Sequence, residues 1–322
     1  MSRKQAQRWA NMMPSQRSGR PLMGVYDLMQ DDIYNACFAN PYGAQDYYVD
    51  GNAVASGDGK TMATAMNTLS EAITASNTSI GLTANRWWAR RNRIFVCGDQ
   101  EITENLTILP EKTDIIGFGF DIESMPRITG THVIAAVATG KARGTRFINC
   151  GFMDNAGDRV FKFTTDHMAV EFHGCLFWPL LGGTDICIWL SASNRAFKML
   201  NCRVMQNAGD GTLFAEGIKI DGTAQHDMVI ANNYIYATEG IHIAAGTQGY
   251  NGIIDNNLIR ATVLTVNDAS DLWIVSNNSL ITAADANTIT AAITANADLA
   301  VNNVITHSGT DLSESYPLLK TS

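Results

Sequence analysis

The sequence predicts an all-β fold: a single-stranded right-handed parallel β-helix, or solenoid, with an N-terminal capping helix and an extended N-terminal arm. The main observation is a short sequence motif that recurs seven times between residues 145 and 305. In each copy an apolar residue is followed by a small polar pair and then by another apolar residue. Successive copies lie 25, 27, 31, 24, 21 and 25 residues apart. Such a period is the signature of stacked β-coils.

Stacking the seven copies aligns two neighbouring columns of small polar residues. The first column holds Asn149, Asn201, Asn232, Asn256, Asn277 and Asn302, with Gly174 in the remaining copy. The second holds Cys150, Cys175, Cys202, Asn233, Asn257, Asn278 and Asn303. Asn tolerates a left-handed backbone, and its amide both donates and accepts hydrogen bonds. We therefore expect a sharp turn in every coil, a continuous ladder of amides along the first column, and a structural ladder that also includes the second column. The three Cys should be reduced and act as small apolar spacers.

The chain divides into four parts on its patterning. Residues 1–45 are a non-repetitive attachment arm, 46–92 a lead-in loop and capping helix, 93–306 the β-helix, and 307–322 a C-terminal tail. Helical spacing predicts an amphipathic helix over residues 61–76, which would cover the open end of the solenoid. Alternation in a second set of strands directs six side chains to the interior: Ile218, Ile220, Ile241, Ile243, Leu264 and Val266.

Charge is distributed unevenly along the chain. The net charge is −8, yet residues 1–20 contain no acid and five basic residues: Arg3, Lys4, Arg8, Arg17 and Arg20. The remaining residues have 18 basic and 31 acidic side chains, a net charge of −13. An acidic body argues against nucleic acid as a partner, and the basic arm favours docking on an acidic protein surface. We expect no secretion signal, no membrane span and no disulfide framework.

Two segments resemble a known superfamily. The opening coils of the pectate-lyase-like right-handed β-helix superfamily are similar to VCGDQEITENLTILPEKTDIIGFG in this chain. The cap that precedes such helices in many phage and bacterial surface proteins is similar to YYVDGNAVASGDGKTMATAMNTLSEAITAS. The resemblance covers residues 47–306. It implies the fold, but the fold hosts lyases, hydrolases, tail spikes and inert virion proteins, so the activity stays open.

The resemblance to the polysaccharide lyases implies a place to look for catalysis, the outer face of one sheet, where acids bind calcium. The matching positions here are Cys187, Trp189, Lys219, Asp221, His242, Ala244, Thr265 and Asn267. One acid cannot supply the 6–8 oxygen ligands that calcium takes. We therefore predict no catalytic residue, metal or cofactor at these positions.

For the other candidate sites, a purely structural role is favoured over a functional one. Glycoside hydrolysis needs two carboxylates, and the best candidates are Asp210, Glu216 and Asp221, which we interpret as solvated loop acids. Glu171 and His173 share one strand face and are interpreted as a surface pair. No metal-ligand spacing links His226, His242 and His307. A cluster of aromatic and basic residues precedes the first coil: Trp87, Trp88, Arg90, Arg91 and Arg93. It fits either a cap that buries both tryptophans or a surface that recognises protein or sugar.

The positions predicted to face outward are unusually apolar. Those assigned to a subunit interface are Leu176, Trp178, Leu200, Met205, Tyr234, Tyr236 and Leu258. The same stripe includes Ile148, Ile274, Ile281, Leu299, Val301 and Val304. An apolar stripe of this extent usually marks a subunit contact. We predict a homotrimer, although a dimer, or a stripe covered by the chain's own arm or loops, fits the same pattern.

These observations favour a structural virion protein, a trimeric phage head decoration protein that stabilises the capsid. Its basic arm would bind the major capsid protein or another virion protein. The expected location is the capsid surface, after synthesis in the host cytoplasm. The alternative is a phage tail spike or fibre that binds or cleaves bacterial surface polysaccharide. A free carbohydrate-active enzyme is the weakest interpretation, because a convincing carboxylate set is missing.

Overall fold

Parallel strands, stacked coil on coil, make up most of the structure. The computed structural model describes residues 44–80, 91–97, 101–119, 124–135, 142–154, 159–180, 185–207, 211–244, 247–261, 263–266, 273–282, 299–301, 303–307 and 315–318. The strands form hydrogen-bonded sheets of 10, 15 and 5 strands. The predicted all-β parallel β-helix is confirmed.

We divide the sheets into four faces, A to D, in the order in which a coil visits them. Sheet A contains Asp46–Val49, Asn92–Val96, Thr113–Gly117, Arg146–Ile148, Glu171–His173, Lys198–Leu200, Val229–Ala231, Gly252–Asp255, Trp273–Ser276 and Leu299–Val301. Sheet B contains Glu101–Thr103, Arg127–Thr129, Gly151–Met153, Leu176–Trp178, Arg203–Val204, Leu258–Arg260, Ser279–Thr282, Asn303–His307 and Ser315–Leu318. Sheet C contains His132–Ile134, Arg159–Phe163, Ile186–Leu190, Phe214–Ile220 and Val263–Val266. Sheet D contains Ala142–Arg143, His167–Met168, Asn194–Arg195, Ala224–His226 and Gln248–Tyr250. The long strand Tyr234–Ile243 belongs to both B and C and joins them.

Apolar side chains from all coils fill the interior in aligned columns. The central residues of the sheet A strands are in register and fully buried: Ile94, Ile115, Phe147, Phe172, Met199, Ile230, Ile254 and Val275. Phe147 and Phe172 stack with ring centroids 5.0 Å apart. On sheets B and C, the predicted interior positions Ile218, Ile220, Ile241 and Ile243 are also fully buried, as expected. The side chains of Leu264 and Val266 lie outside the described residues.

The N-terminal helix is present but begins later than predicted. It spans Leu69–Ile80, whereas Met62–Thr64 form a short 3-10 turn capped by Thr61. The start is fixed by two side chains: the Thr68 hydroxyl accepts a hydrogen bond from the Glu71 N–H (3.2 Å), and the Glu104 carboxylate accepts one from the Leu69 N–H (2.7 Å). The sequence T-x-x-E at residues 68–71 is a capping signal from which the start of the helix could have been predicted. In the described part of the chain, no helix is long and apolar enough to cross a membrane.

The sheets extend beyond the predicted β-helix segment, residues 93–306, at both of its ends. Sheet A already begins with Asp46–Val49, inside the predicted lead-in loop, and this strand pairs in parallel with Asn92–Val96. At the other end, Ser315–Leu318 lies in the predicted tail but forms an antiparallel strand beside Asn303–His307. Each added strand pairs a sheet edge that would otherwise be exposed. The predicted arm and its five basic residues lie outside the described residues, apart from residues 44 and 45.

A second left-handed turn recurs between sheets D and A and was not predicted. Its residues have positive φ in successive coils: Gly144, Ala169, Ala196, Asp227 and Asn251, with φ of 71°, 52°, 56°, 53° and 60°. Only Gly takes this conformation without steric cost, and Asn and Asp take it more readily than Ala. Because this turn accepts several residue types, no single residue type recurs at this position of the repeat.

Replacing Ala196 with Gly is therefore expected to stabilise the protein by up to about 1 kcal/mol. The left-handed conformation costs Ala about 1–2 kcal/mol, which exceeds the entropy that Gly adds to the unfolded chain. Urea unfolding measures the difference. Ala231→Gly, in the middle of sheet A, is the matched control and should destabilise by about 1 kcal/mol. Equal losses at both positions would contradict the strain at Ala196.

Candidate functional site

The first Asn column makes the turn between sheets A and B. Asn149, Asn201, Asn232, Asn256 and Asn277 have φ between 51° and 59°, and Gly174 has φ of 60°. The predicted turn is therefore confirmed at every described copy, with Asn302 lying outside the described residues.

The predicted continuous ladder along this first column is wrong. Asn256 donates from Nδ2 to Oδ1 of Asn232 (2.6 Å), but Asn277 bonds instead to Asp255 (2.8 Å). Asn149 bonds to the carbonyl of Gly117 (3.0 Å). The left-handed turn directs these amides toward the outside, where Asn256 is exposed and water competes for its bonds.

The continuous ladder runs along the second column. Nδ2 of Asn233 donates to Oδ1 of Asn257 (3.0 Å), which repeats from Asn257 to Asn278 (2.9 Å) and from Asn278 to Asn303 (2.9 Å). Each Oδ1 also accepts the backbone N–H of the preceding coil's ladder residue, as from Cys202 to Asn233 (2.8 Å). Each Nδ2 also donates to a sheet A carbonyl, as from Asn233 to Met199 (2.9 Å). All four Asn are at most 2% exposed.

The three Cys continue the ladder toward the N-terminus with weaker bonds. Cys150, Cys175 and Cys202 are buried and have free thiols. Sγ of Cys202 contacts the carbonyl of Phe172 (3.4 Å), and Sγ of Cys175 contacts that of Phe147 (3.5 Å). These carbonyls correspond to the ones that the Asn amides reach, so the thiols are more than apolar spacers. Burial raises the pKa of the Cys150 and Cys202 thiols.

The outer face of sheet A presents a column of alternating charge that sequence reasoning missed. Six residues in register alternate in sign: Asp46, Arg93, Asp114, Arg146, Glu171 and Lys198. They form ion pairs, with Arg93 and Asp46 at 2.6 Å, Arg146 and Asp114 at 2.6 Å, and Lys198 and Glu171 at 3.1 Å. The signal in the sequence was one charged residue directly before the inward-facing residue in each of these six strands.

This column also accounts for the predicted Glu171–His173 pair. Nε2 of His173 lies 2.8 Å from Oε2 of Glu171, and Lys198 holds the other oxygen. The hydrogen bond from His173 is the main cause that lowers the pKa of Glu171 to about 2, and Lys198 adds to it. Burial would raise the pKa of Asp114, but the guanidinium groups of Arg146 and Arg91 outweigh it and lower that pKa. The pair is thus joined to the ion-pair column through Glu171 and Lys198.

Beyond Lys198 the same column becomes apolar. It continues through Val229, Ile253 and Ile274, and the last two side chains are 36% and 38% exposed. Leu258, on the neighbouring sheet B, is 38% exposed. Ile253 was missed in the predicted stripe, although it directly precedes the inward Ile254. Ile253, Ile274 and Leu258 give the C-terminal coils an exposed apolar surface, and other exposed apolar side chains lie nearer the N-terminus: Val54, Met62, Ile108 and Phe118.

The predicted apolar stripe is divided between two sheets. Leu200 lies on sheet A, whereas Trp178, Tyr234 and Tyr236 lie on sheet B, across the Asn turn. These four side chains and that of Met205 are half-buried. The left-handed turn between sheets A and B therefore separates the residues on its two sides.

Leu176 is a second correction, because it is only 4% exposed and cannot contribute to an exposed interface. Its neighbour in the sheet is Gly151, and a Cβ atom there would lie 3.0 Å from the Trp178 indole. The indole therefore lies across the column to which Leu176 belongs.

The outer face of sheet C collects more charged groups than the sequence indicated. Glu216 accepts hydrogen bonds from Lys219 (2.7 Å) and His242 (2.9 Å). Glu239, which sequence reasoning missed, lies 3.3 Å from Nδ1 of His242. Burial would raise the pKa of Glu216, but the bonds from His242 and Lys219 lower it. The bond to Glu216 is the main cause that raises the pKa of His242.

The remaining predicted positions on sheet C have structural partners. Asp221 accepts a hydrogen bond from Nε1 of Trp189 (2.8 Å), and Nζ of Lys162 lies 3.4 Å from the indole centroid. Cys187 was predicted to face outward, but the structure corrects this, because its side chain is fully buried between Ile186 and Ile188 in a strand with three consecutive buried residues. Asp210 lies outside the described residues. Of the proposed glycosidase acids, Glu216 and Asp221 therefore have separate partners, Lys219 and Trp189.

The cluster before the first coil is described only in part. Arg91 pairs with Asp114, and Arg93 pairs with Asp46, so both belong to the charge column. Trp87, Trp88 and Arg90 lie outside the described residues. Of the other histidines, His226 stacks on Tyr250 with centroids 4.5 Å apart, and the side chain of His307 is not described.

No family model matches the chain, and no curated protein or solved structure matches it either. Its function has to be inferred from the ladder, the outer faces of the sheets and the charge distribution.

Proposed function

We propose that this chain is a structural protein of a bacteriophage particle, a head decoration protein that stabilises the capsid as a homotrimer. The observation that supports self-association most directly is the apolar surface of the C-terminal coils. Ile253 and Ile274 are 36% and 38% exposed and are paired on adjacent strands of sheet A, and Leu258, on sheet B, is 38% exposed. Exposed apolar side chains grouped on a flat sheet usually mark a contact with another subunit.

The interior suits a mechanical role. The Asn ladder joins consecutive coils by side-chain bonds in addition to the backbone bonds of the sheets. The charge column on sheet A adds ion pairs between coils on the outside. A solenoid whose coils are joined by an internal Asn ladder and by external ion pairs resists bending, as a rigid protein attached to a capsid would require.

The charge distribution suits attachment to a shell. The basic residues Arg3, Lys4, Arg8, Arg17 and Arg20 would bind an acidic surface of the major capsid protein or of another virion protein. A protein that binds only the assembled lattice stabilises that lattice by mass action. Its proposed location is the outer surface of the capsid.

Sedimentation and binding to undecorated particles together test this function. The wild-type chain should sediment as a trimer at micromolar concentration and bind the particles. The double variant Ile253→Lys/Ile274→Lys should sediment as a monomer, because each buried, unpaired lysine costs several kcal/mol. Removal of residues 1–20 should leave the trimer intact but abolish binding to particles.

The control is Ile108→Lys, since Ile108 is equally exposed (41%) but lies beside the N-terminal helix. This variant should remain trimeric and bind normally. A wild-type monomer would refute the trimer, and a truncated chain that still decorates particles would refute the arm. Binding at the tail alone would favour the second candidate.

The second candidate is a tail spike that binds or cleaves bacterial polysaccharide. It is favoured by the aromatic and acidic groups that share the outer face of sheet C, Trp189, Asp221 and Glu216. Hydrolysis, however, needs one carboxyl with a raised pKa as general acid. The pKa of Glu216 is lowered, so this residue suits an ion pair better than acid catalysis.

A further inference from the structure

Three potential metal ligands converge on the outer face of sheet C. Glu216 and Glu239 are directly paired in adjacent strands, and His242 follows Glu239 on the same strand. Nδ1 of His242 lies 2.9 Å from Oε2 of Glu216 and 3.3 Å from Oε2 of Glu239. All three ligand atoms lie within 4.8 Å of one another. We propose that these three side chains bind a divalent transition-metal ion, Zn²⁺.

The spacing of the ligand atoms suits a tetrahedral ion. Bonds of about 2.0–2.1 Å to nitrogen and oxygen, at tetrahedral angles, place the ligand atoms about 3.4 Å apart. The two measured distances from Nδ1 of His242 are close to this value. Small side-chain movements would therefore be enough to admit the ion.

Lys219 orients one of the ligands without blocking it. Its Nζ donates to Oε1 of Glu216, whereas the oxygen that faces His242 is Oε2. Ligating carboxylates in metal sites are commonly held in this way by a second hydrogen bond. With His242 neutral, the two carboxylates and the ammonium have a net charge of −1, which favours a divalent cation.

The donor set selects the kind of metal. Calcium and magnesium take oxygen ligands, and calcium takes six to eight of them, whereas zinc accepts imidazole nitrogen and carboxylate oxygen together in one tetrahedral site. The side chains of Glu216, Glu239 and His242 are 15%, 37% and 27% exposed. The exposed side leaves room for water as a fourth ligand. This is the arrangement of zinc sites that keep an open position.

The chain contains a natural control for this site. On sheet A, Glu171 also accepts bonds from a histidine and a lysine, His173 and Lys198. Among the residues that the structure describes, no second carboxylate joins this histidine, so the cluster should remain a plain ion-pair network. The zinc proposal depends on Glu239 and is independent of the proposed capsid role.

Zinc binding to the untagged full-length chain, measured by calorimetry after chelator treatment, tests the site. The wild type should bind one Zn²⁺ per chain with a Kd of about micromolar or tighter. Glu239→Gln should weaken binding by about 100-fold or more, and Glu171→Gln should leave it unchanged. Melting curves in chelator should be the same for the wild type and Glu239→Gln, because Glu239 is partly exposed.

Cobalt gives a spectroscopic readout of the same site. Co²⁺ should bind the wild type without the sulfur-to-metal charge-transfer bands that a cysteine ligand produces. A wild-type chain that fails to bind Zn²⁺ at millimolar concentration would overturn the proposal. Equal affinities for wild type and Glu239→Gln, or thiolate bands with Co²⁺, would overturn it as well.

Discussion

Replacing Asn257 with leucine is expected to lower the free energy of unfolding by about 3–6 kcal/mol. Oδ1 of Asn257 accepts bonds from the backbone and side-chain N–H groups of Asn233, and its Nδ2 donates to Ile230 and Asn278. Leucine has a similar volume but leaves at least the Asn233 N–H, the Asn233 amide and the Ile230 carbonyl without these partners. Each unsatisfied buried group costs about 1–3 kcal/mol, so several together produce the large loss.

Asn256→Gly is the matched control for this prediction. Asn256 precedes Asn257 in the same turn, but it is exposed and its φ of 51° is one that glycine accepts. Its loss removes one exposed bond to Asn232 and should cost less than about 1 kcal/mol. Chemical denaturation of the two variants measures the difference. Similar costs at both positions would mean that the second column is not the ladder that holds the coils together.

The contrast between these neighbours shows how far the sequence could predict the fold. The Asn-Asn doublet and its spacing were enough to predict the coils and the left-handed turn between sheets A and B. They did not reveal which Asn points inward, since both residues have the same chemistry. That choice follows from the backbone: Asn256 takes the left-handed conformation, so its side chain faces outward and Asn257 faces the interior.

The cluster on sheet C was less accessible to sequence reasoning. Successive ladder positions from Cys202 to Asn233 and from Asn233 to Asn257 are 31 and 24 residues apart. Counting from the repeat therefore does not align Glu216 with Glu239. Their pairing depends on the long strand Tyr234–Ile243, which passes from sheet B to sheet C without a break. The second set of strands did hold the signal, because Lys219 and His242 were matched positions and the two acids lie three residues before them.

Acidification from pH 7 to pH 5 is expected to destabilise the protein by about 4 kcal/mol through two core histidines. His132 is fully buried, and its Nδ1 accepts a hydrogen bond from the Leu106 N–H (3.1 Å), so protonation would break that bond. His167 is 3% exposed and stacks on Phe163 with centroids 4.3 Å apart. Burial lowers the pKa of His132 to about 3 and that of His167 to about 4.

The direction of this pH effect follows from proton linkage. Below pH 6.5, His132 and His167 are protonated in the unfolded chain but stay neutral in the folded core. Stability therefore falls as the pH decreases toward the folded pKa values. Each histidine contributes about 2 kcal/mol at pH 5. The raised pKa of His242 acts in the opposite direction, because its contribution is present at low pH and lost as the pH rises. The pKa of Glu171, about 2, adds a loss only below its unfolded value of 4.5, outside this range.

Unfolding by urea at pH 7, 6 and 5, in the wild type and in His167→Phe, separates the core histidines from other titrating groups. Phenylalanine keeps the ring against Phe163 but cannot bind a proton, so the variant should lose about half of the destabilisation on acidification. The variant also loses the hydrogen bond between His167 Nδ1 and the Thr165 carbonyl. The cost of this loss does not depend on pH, so it cancels when the free energies of unfolding at different pH values are compared. Parallel pH profiles for the two proteins would mean that His167 is protonated inside the folded solenoid. The core would then have to hold a charge beside its phenylalanine stack, which burial in an apolar column opposes.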